Sequence, residues 1–224
     1  MYNQSDTQLG AEGAAVIPVG AHVYVIDDHS EVRKSLSMVL ATVGITTWPF
    51  AASYDFLDQL ADLSPAPILL DIRMPDLDGM SVLSRLAERM IPWPVIIMTA
   101  HGDIAIAVEC MKRGAIEFLE KPFELEMVQT ALARAYALLA DAQSKEQVRL
   151  LAKKRFAALT LREAQVLLSL FDGLQNKNVA VGLGLSVRTV EMHRAHAFTK
   201  LGVRSVVEAA ELAHSAQWTE AEGE

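Results

Sequence analysis

Residues 67–79 of the chain read PILLDIRMPDLDG. The stretch opens with an apolar run that is too short for a core helix, which is typical of a strand buried on both faces. The run ends at the carboxylate of Asp71, and four similar runs occur elsewhere before residue 121. The five runs are His22–Asp27, Ile45–Phe50, Pro67–Asp71, Pro94–Thr99 and Ile116–Glu120.

Helical patterns separate these runs. Apolar residues recur at helical spacing in 30–43, 52–61, 79–90 and 103–113. Strands that alternate with helices predict a doubly wound α/β domain with a five-stranded parallel sheet. Because Pro49 cannot donate a ladder hydrogen bond, the second strand is expected at an edge, as in the flavodoxin-like order 2-1-3-4-5.

The chain beyond Pro122 shows helical patterns only. A long helix is predicted from near Glu124 to beyond Ala140, and the polar segment after it lacks Pro and Gly, which favours a helical linker. Shorter helices follow from Thr160 and predict a small all-α domain. The expected organisation is a disordered tail (1–20), an α/β domain (21–140), a helical linker (141–155), a helix-turn-helix domain (156–218) and a second tail (219–224).

Composition narrows the function classes. The net charge of −8 is uneven, because residues 1–151 hold 20 acidic and 11 basic side chains, whereas 152–224 hold 8 and 9. Such a chain can bind DNA only through a local basic patch. No run reaches the roughly 18 apolar residues of a membrane span, so no membrane association is expected. The single Cys110 excludes an internal disulfide and suits a reducing compartment, which predicts a cytoplasmic protein.

The predicted strand ends carry carboxylates, a hydroxyl and an ammonium group. Asp27 and Asp28 follow the first strand, and Asp71 ends the third. Thr99 ends the fourth strand, and Lys121 follows the fifth. These groups are expected to meet, because ligands of open parallel sheets lie at the carboxyl ends of the strands. Crowded carboxylates need a cation to stay ionised, and Mg²⁺ suits oxygen ligands while leaving waters for phosphate. A carboxylate beside a metal and a lysine is equipped to form an aspartyl phosphate.

A structural alternative exists for each aspartate, because a carboxylate after a strand often only caps the next helix, as expected for Asp78 before Gly79. Four motifs together favour the phosphorylation site. They are Asp27-Asp28, the stretch 70–79, Met98-Thr99-Ala100 and Lys121-Pro122-Phe123. Through these motifs, residues 21–140 closely resemble the CheY-like receiver family.

The resemblance implies a role for each matching position. Asp71 is the implied phosphoacceptor for a histidine kinase, and Lys121, with an expected cis bond to Pro122, pairs with the phosphoryl group. Thr99 and Phe118 occupy the switch positions. The implied Mg²⁺ ligands are Asp27, Asp28, Asp71 and the backbone carbonyl of Arg73. Such a domain is a switch that catalyses only its own Mg²⁺-dependent phosphorylation and dephosphorylation, and not an enzyme with a separate substrate.

One rival class also phosphorylates an aspartate. Haloacid-dehalogenase-type phosphatases carry a second Asp, the general acid, two residues after the nucleophile. Arg73 occupies that place and cannot release a proton at working pH. The rival class is therefore excluded.

Residues 176–202 read as helix, tight turn, helix. On the second helix Val190, Ala197 and Leu201 share an apolar face, and Arg194 falls beside them, which gives it a phosphate-binding or structural role at the rim. Three side chains are placed to cap helices. They are Thr160, with Glu163 at N3, Ser186, and Ser205, with Glu208 at N3.

The opposite face of the second helix is expected to enter a major groove. Lys177, Arg188 and Lys200 can meet phosphates. Glu191 can accept from a cytosine amino group, and Met192 can touch a thymine methyl. The candidate DNA contacts are Lys177, Arg188, Thr189, Glu191, Met192, Arg194, Ala195, His196 and Lys200. The alternatives are an ordinary solvated helix or, for His193 and His196, a metal pair, which lacks a further ligand at matching spacing.

A longer series of motifs resembles the LuxR/NarL/FixJ-type four-helix domain across 156–218. The motifs are Leu159–Glu163, Asn176-Lys177, Ser186–Arg194 and Lys200–Val203. This resemblance implies a transcriptional regulator that dimerises on phosphorylation, binds double-stranded promoter DNA and contacts RNA polymerase. Gln175 and Asn178 replace a capping box found in many relatives, and Gly182 lies near the end of the same helix. That helix is expected to start less firmly, by about 1 kcal/mol.

Two functional alternatives remain at this point. One is a receiver that acts through protein contacts alone, and the other is a DNA-binding protein that does not depend on phosphorylation.

Overall fold

The computed structural model of the chain describes residues 17–100 and 104–219. The predictions for 1–16, 101–103 and 220–224 lie outside these residues. The chain divides into two compact units between Ala142 and Gln143. None of the described helices is long and apolar enough to cross a membrane.

The first unit is built on a five-stranded parallel sheet. Its strands are β1 (His22–Ile26), β2 (Thr46–Phe50), β3 (Ile68–Asp71), β4 (Val95–Thr99) and β5 (Glu117–Glu120). Their order is β2-β1-β3-β4-β5, and every neighbouring pair is parallel. The order and the edge position of β2, which contains Pro49, confirm the prediction. The central strands are buried on both faces, as their unbroken apolar sequences require.

Helices cover both faces of the sheet. They are α1 (Ser30–Ala41), α2 (Ser53–Gln59), α3 (Gly79–Glu88), α4 (Ile104–Lys112) and the first part of α5 (Leu125–Ala157). Gly44 and Gly114 follow α1 and α4 with φ of 77° and 100°, as expected for left-handed residues that end helices. Cys110 is fully buried on α4, as expected of a small apolar side chain.

Up to residue 219, the second unit contains the last turns of α5 and four short helices. These are α6 (Leu161–Phe171), α7 (Asn176–Leu183), α8 (Val187–Leu201) and α9 (Val206–Ala216). Ala152 and Phe156 of α5 are buried in the core of this unit, and the Phe156 ring stacks on Trp218 at 4.6 Å between ring centroids. The predicted linker, 141–155, differs from the structure in one respect: the last turn of this segment packs into the core of the helical domain.

Cap geometry separates α7 from the other helices of the second unit. Thr160 and Glu163 form the predicted capping box, and Ser186 accepts from the amide of Thr189. Ser205 also caps its helix, although the carboxylate of Glu208 accepts from the amide of residue 204 and not from the cap residue itself. At the start of α7, Gln175 makes no side-chain capping hydrogen bond, and the weak start of this helix stays a prediction.

A capping box can be introduced at α7. We expect Gln175→Ser combined with Asn178→Glu to raise the free energy of unfolding of the second unit by about 1 kcal/mol, because the amides at the helix start gain acceptors. Urea unfolding followed by far-UV circular dichroism measures this change. The control, Gln175→Ala, supplies no acceptor and should give no gain, and an equal gain from both variants would contradict the explanation.

Candidate functional site

The predicted acidic cluster assembles at the carboxyl ends of the strands. The Nζ atom of Lys121 lies 2.6 Å from Oδ2 of Asp27 and 2.6 Å from Oδ1 of Asp71. The side chains of both aspartates are almost fully buried. One ammonium group therefore joins the ends of β1 and β3 to the loop that follows β5.

The charges of this cluster depend on each other. Burial raises the pKa of Asp71 above its usual value, although hydrogen bonding and attraction to Lys121 oppose the rise. Burial also disfavours the Lys121 ammonium, but the two carboxylates outweigh it and raise the lysine's pKa. Lys121 therefore stays protonated, and its charge supports an ionised Asp71.

The predicted switch residues lie beside the cluster. Thr99 is buried at the end of β4, and its carbonyl accepts a hydrogen bond from the amide of Lys121 at 2.7 Å. Phe118 is half-buried on β5, where it pairs with Ile97 of β4. The peptide bond between Lys121 and Pro122 is cis, as expected.

The residues after β1 fit a hard divalent cation. Ligand atoms of Asp27, Asp28 and His29 lie within 4.8 Å of one another. The Oδ1 atom of Asp28 is buried and accepts no hydrogen bond within the described part of the chain, although Nδ1 of His29 lies 2.9 Å away. A buried carboxylate oxygen in this condition is costly unless a cation or a donor occupies the space beside it. The sequence reasoning gave His29 no role.

Gly79 supports Asp71 in a way that the sequence reasoning missed. Its amide donates to the carbonyl of Ile72 at 2.9 Å, and a Cβ atom on it would lie only 2.6 Å from the carbonyl oxygen of Asp71. Only glycine fits where the start of α3 passes this close to the end of β3. Asp78 caps α3 through the amide of Ser81, as predicted. In the sequence, the sign of this close approach between β3 and α3 is the glycine that directly follows Asp78.

Three further contacts orient the site and were also missed. The amide of Arg73 donates to Oδ2 of Asp71 at 2.9 Å, and the guanidinium of Arg33 donates to the carbonyl of Asp27. Ser53, fully buried at the start of α2, donates to the carbonyl of Leu77 at 2.8 Å and so fastens the loop after β3. Ser53 and Leu77 are 24 residues apart, and the other two contacts involve a backbone amide or carbonyl, so no side-chain pattern in the sequence indicates them.

The predicted recognition helix is α8. Its apolar face is buried as expected, with Val190, Ala197 and Leu201 inaccessible to solvent. The candidate contacts on the other face are exposed, apart from the partly exposed Thr189. The exposed ones are Arg188, Glu191, Met192, Ala195 and His196.

The remaining candidate contacts differ in their surroundings. Lys177 is exposed on α7. Arg194 is half-buried and donates to Oδ1 of Asn176 at 3.4 Å, which agrees with its predicted place at the rim. Lys200 pairs with the buried carboxylate of Glu163 at 2.6 Å. The prediction that Lys200 contacts phosphate stays a prediction, and this ion pair competes with it.

Comparison with known proteins matches both halves of the chain. The family model of the response regulator receiver domain matches residues 23–133. The family model of the bacterial regulatory proteins of the luxR family matches residues 157–213. The fold and the acidic site thus define a DNA-binding response regulator.

Full-length relatives agree with this class. The transcriptional regulatory protein FixJ of Bradyrhizobium diazoefficiens is 41% identical over 86% of this chain and 94% of its own length. The solved structure of the response regulator StyR is 34% identical, with a TM-score of 0.74 over 88% of this chain and 99% of that chain. Full-length FixJ from B. japonicum is 39% identical, with a TM-score of 0.56 over 91% of this chain and 100% of that chain. The chain belongs to the FixJ-like two-component response regulators, transcriptional regulators that join a receiver domain to a LuxR-family helix-turn-helix domain.

The close approach of Gly79 can be tested by adding one methyl group. We expect Gly79→Ala to lower the free energy of unfolding of the first unit by about 1–3 kcal/mol, because the backbone of β3 or α3 must move. The control, Gly182→Ala, places its methyl group in open space on α7 and should be neutral or stabilising by up to about 1 kcal/mol. Urea unfolding measures both changes, and an unaltered midpoint for Gly79→Ala would contradict the packing argument.

Proposed function

We propose that the chain accepts a phosphoryl group on Asp71 from a histidine kinase and then binds promoter DNA as a dimer. The observation that carries this proposal is the Lys121 ammonium, 2.6 Å from the carboxylates of both Asp27 and Asp71. It would offset charge on a phosphoryl group that arrives at Asp71, in a place where burial excludes most water.

The contacts of Asp71 define the proposed transfer. Lys121 and the amide of Arg73 each donate to a different oxygen of the carboxylate, so its orientation is fixed before the donor arrives. A carboxylate oxygen forms the new bond to phosphorus, the bond from phosphorus to the kinase imidazole breaks, and the imidazole leaves. The chain would catalyse only this transfer and the later hydrolysis of its own aspartyl phosphate.

Mg²⁺ is the proposed cofactor. Asp27, Asp28, Asp71 and the backbone carbonyl of Arg73 would hold it. The buried Oδ1 of Asp28 accepts no hydrogen bond within the described residues and has Nδ1 of His29 2.9 Å away, which supports a cation there. When bound, Mg²⁺ supplies positive charge that neutralises the phosphoryl oxygens.

Thr99 and Phe118 are the proposed switch. The Thr99 hydroxyl would turn to the phosphoryl group, and Phe118 would turn inward, which changes the surface of α4, β5 and α5. The part of this surface that belongs to the first unit carries exposed apolar side chains. Ile104, Val108 and Met111 of α4 and Met127 of α5 are 80%, 48%, 44% and 51% exposed. A second copy of the chain covers such a patch on dimerisation.

The second unit is the proposed promoter-binding half. The exposed N-terminal part of α8 carries Arg188, Glu191 and Met192, with Lys177 on the preceding helix, which suits phosphate and base-edge contacts in a major groove. Dimerisation would present two such helices to a two-fold-related site. RNA polymerase is a further proposed partner. The proposed location is the cytoplasm, where bacterial promoters would be bound.

Phosphorylation at Asp71 can be measured directly. We expect Asp71→Asn to abolish Mg²⁺-dependent phosphorylation by acetyl phosphate. Among the buried carboxylates of the described residues, only Asp27 and Asp71 lie within reach of Lys121, and Asp27 is the residue that binds the ammonium group. Intact-protein mass spectrometry detects the added phosphoryl mass. The exposed neighbour Asp76 provides the control: Asp76→Asn should be labelled as the unaltered protein is. Labelling of Asp71→Asn would reject the assignment.

The dimer surface can be tested separately from phosphorylation. We expect Val108→Glu to keep acetyl phosphate labelling but to remove dimers from the phosphorylated protein, because two copies of a charge would be buried at one surface. The control, Met38→Glu, changes a side chain that is 73% exposed on α1 and should still dimerise. Sedimentation velocity measures both, and phosphorylated dimers of Val108→Glu would exclude this surface.

A further inference from the structure

We infer that Lys200 and Glu163 form an ion pair that positions the recognition helix α8, and that Lys200 is not a DNA contact. The inference rests on the proposed binding of DNA by α8 and concerns how that helix is held. Nζ of Lys200, in the last turn of α8, lies 2.6 Å from Oε2 of Glu163, in the first turn of α6.

Glu163 is built into the domain on its other side as well. Its side chain is 4% exposed, and Oε2 also accepts from the amide of Thr160 at 2.8 Å as part of the α6 capping box. Burial alone would raise the pKa of Glu163, but the hydrogen bonds from Lys200 and Thr160 outweigh it and lower the pKa. The carboxylate therefore remains charged, and its negative charge needs the Lys200 ammonium.

The position of Lys200 along α8 agrees with a structural role. Lys200 lies about 18 Å along the helix axis from Arg188, since each residue advances the helix by about 1.5 Å. The end of α8 that carries Lys200 is also fastened from α5, where Nη1 of Arg155 donates to the carbonyl of Leu201 at 3.1 Å. Lys200 and Arg155 thus both bring positive charge near the C-terminal end of α8, where the helix dipole favours it.

A phosphate contact would break this arrangement. If Lys200 turned toward DNA, the carboxylate of Glu163 would stay buried with only the Thr160 amide as donor. Uncompensated buried charges are strongly destabilising, so each phosphate contact by Lys200 would weaken the domain that presents α8. Lys177, in contrast, is exposed and has no described acid partner, and it remains available to phosphate.

The two roles of Lys200 make opposite predictions for Glu163→Gln. The experiment uses the full chain and a DNA duplex that the unaltered protein selects from a random pool. If Lys200 positions α8, Glu163→Gln weakens binding by about tenfold, because the presentation of α8 is lost. If Lys200 contacts phosphate, the same change frees the lysine and tightens binding.

Salt dependence supplies a second comparison. Lys177→Met should make the slope of log K against log salt concentration less steep by about 0.9, the value for one lost phosphate contact. Lys200→Met should weaken binding but leave the slope unchanged. In the Glu163→Gln background, Lys200→Met should cause no further loss, because the two residues act as one unit.

Hydrogen exchange measures the positioning without DNA. In Glu163→Gln and in Lys200→Met, amides of the last turn of α8 should exchange roughly tenfold faster than in the unaltered protein, and those of β3 should not change. The inference is overturned by tighter binding of Glu163→Gln, by a slope for Lys200→Met that falls as for Lys177→Met, or by unchanged exchange. If the unaltered protein selects no duplex, the proposed promoter binding fails instead, and the exchange rates still decide whether the pair positions α8.

Discussion

The ammonium of Lys121 lies between two buried carboxylates, and the first unit is arranged around that contact. Asp27 and Asp71 end the neighbouring strands β1 and β3, whereas Lys121 follows β5, which is separated from β3 by β4. In this order the three residues lie at one edge, because the carboxyl ends of parallel strands share it. Removing one partner from a buried ion pair typically costs about 3–5 kcal/mol, so the pairs also stabilise the loops that carry them. The proposed phosphoryl group on Asp71 would compete for the same ammonium, which would make the contact a natural point for a switch.

The second unit contains a related pair with a different consequence. Lys200 also meets a buried carboxylate, that of Glu163, but the helix cap donates to the same oxygen. In contrast, the buried Oδ1 of Asp28, beside Asp27, accepts no hydrogen bond within the described residues. Under these proposals, similar lysine–carboxylate pairs serve a reactive site in one unit and a fixed helix position in the other.

The sequence predicted those features that depend on local pattern and strand order. The strands were located to within about one residue, and the convergence of Asp27, Asp71 and Lys121 follows from the rule that parallel strands share a carboxyl edge. Features that depend on distant packing were not predictable. A helical wheel places Lys200 relative to α8 alone and contains no information about Glu163, 37 residues earlier. The burial of Ala152 was likewise not predicted from the polar sequence of 141–155, because a small residue can pack into a core without an apolar run around it.

The use of cations inside the second unit bears on how it can bind DNA. Residues 152–224 hold 9 basic side chains against 8 acidic ones, and Arg155, Arg194 and Lys200 are already engaged within the unit. Few cations remain to neutralise phosphates, and the −9 balance of residues 1–151 opposes approach to DNA. A single copy should therefore bind weakly and with a shallow dependence on salt. Two copies would double the number of phosphate and base contacts, so the proposed dimerisation at α4, β5 and α5 would supply the affinity that one domain lacks. Phosphorylation would then control DNA binding without any direct contact to the recognition helix.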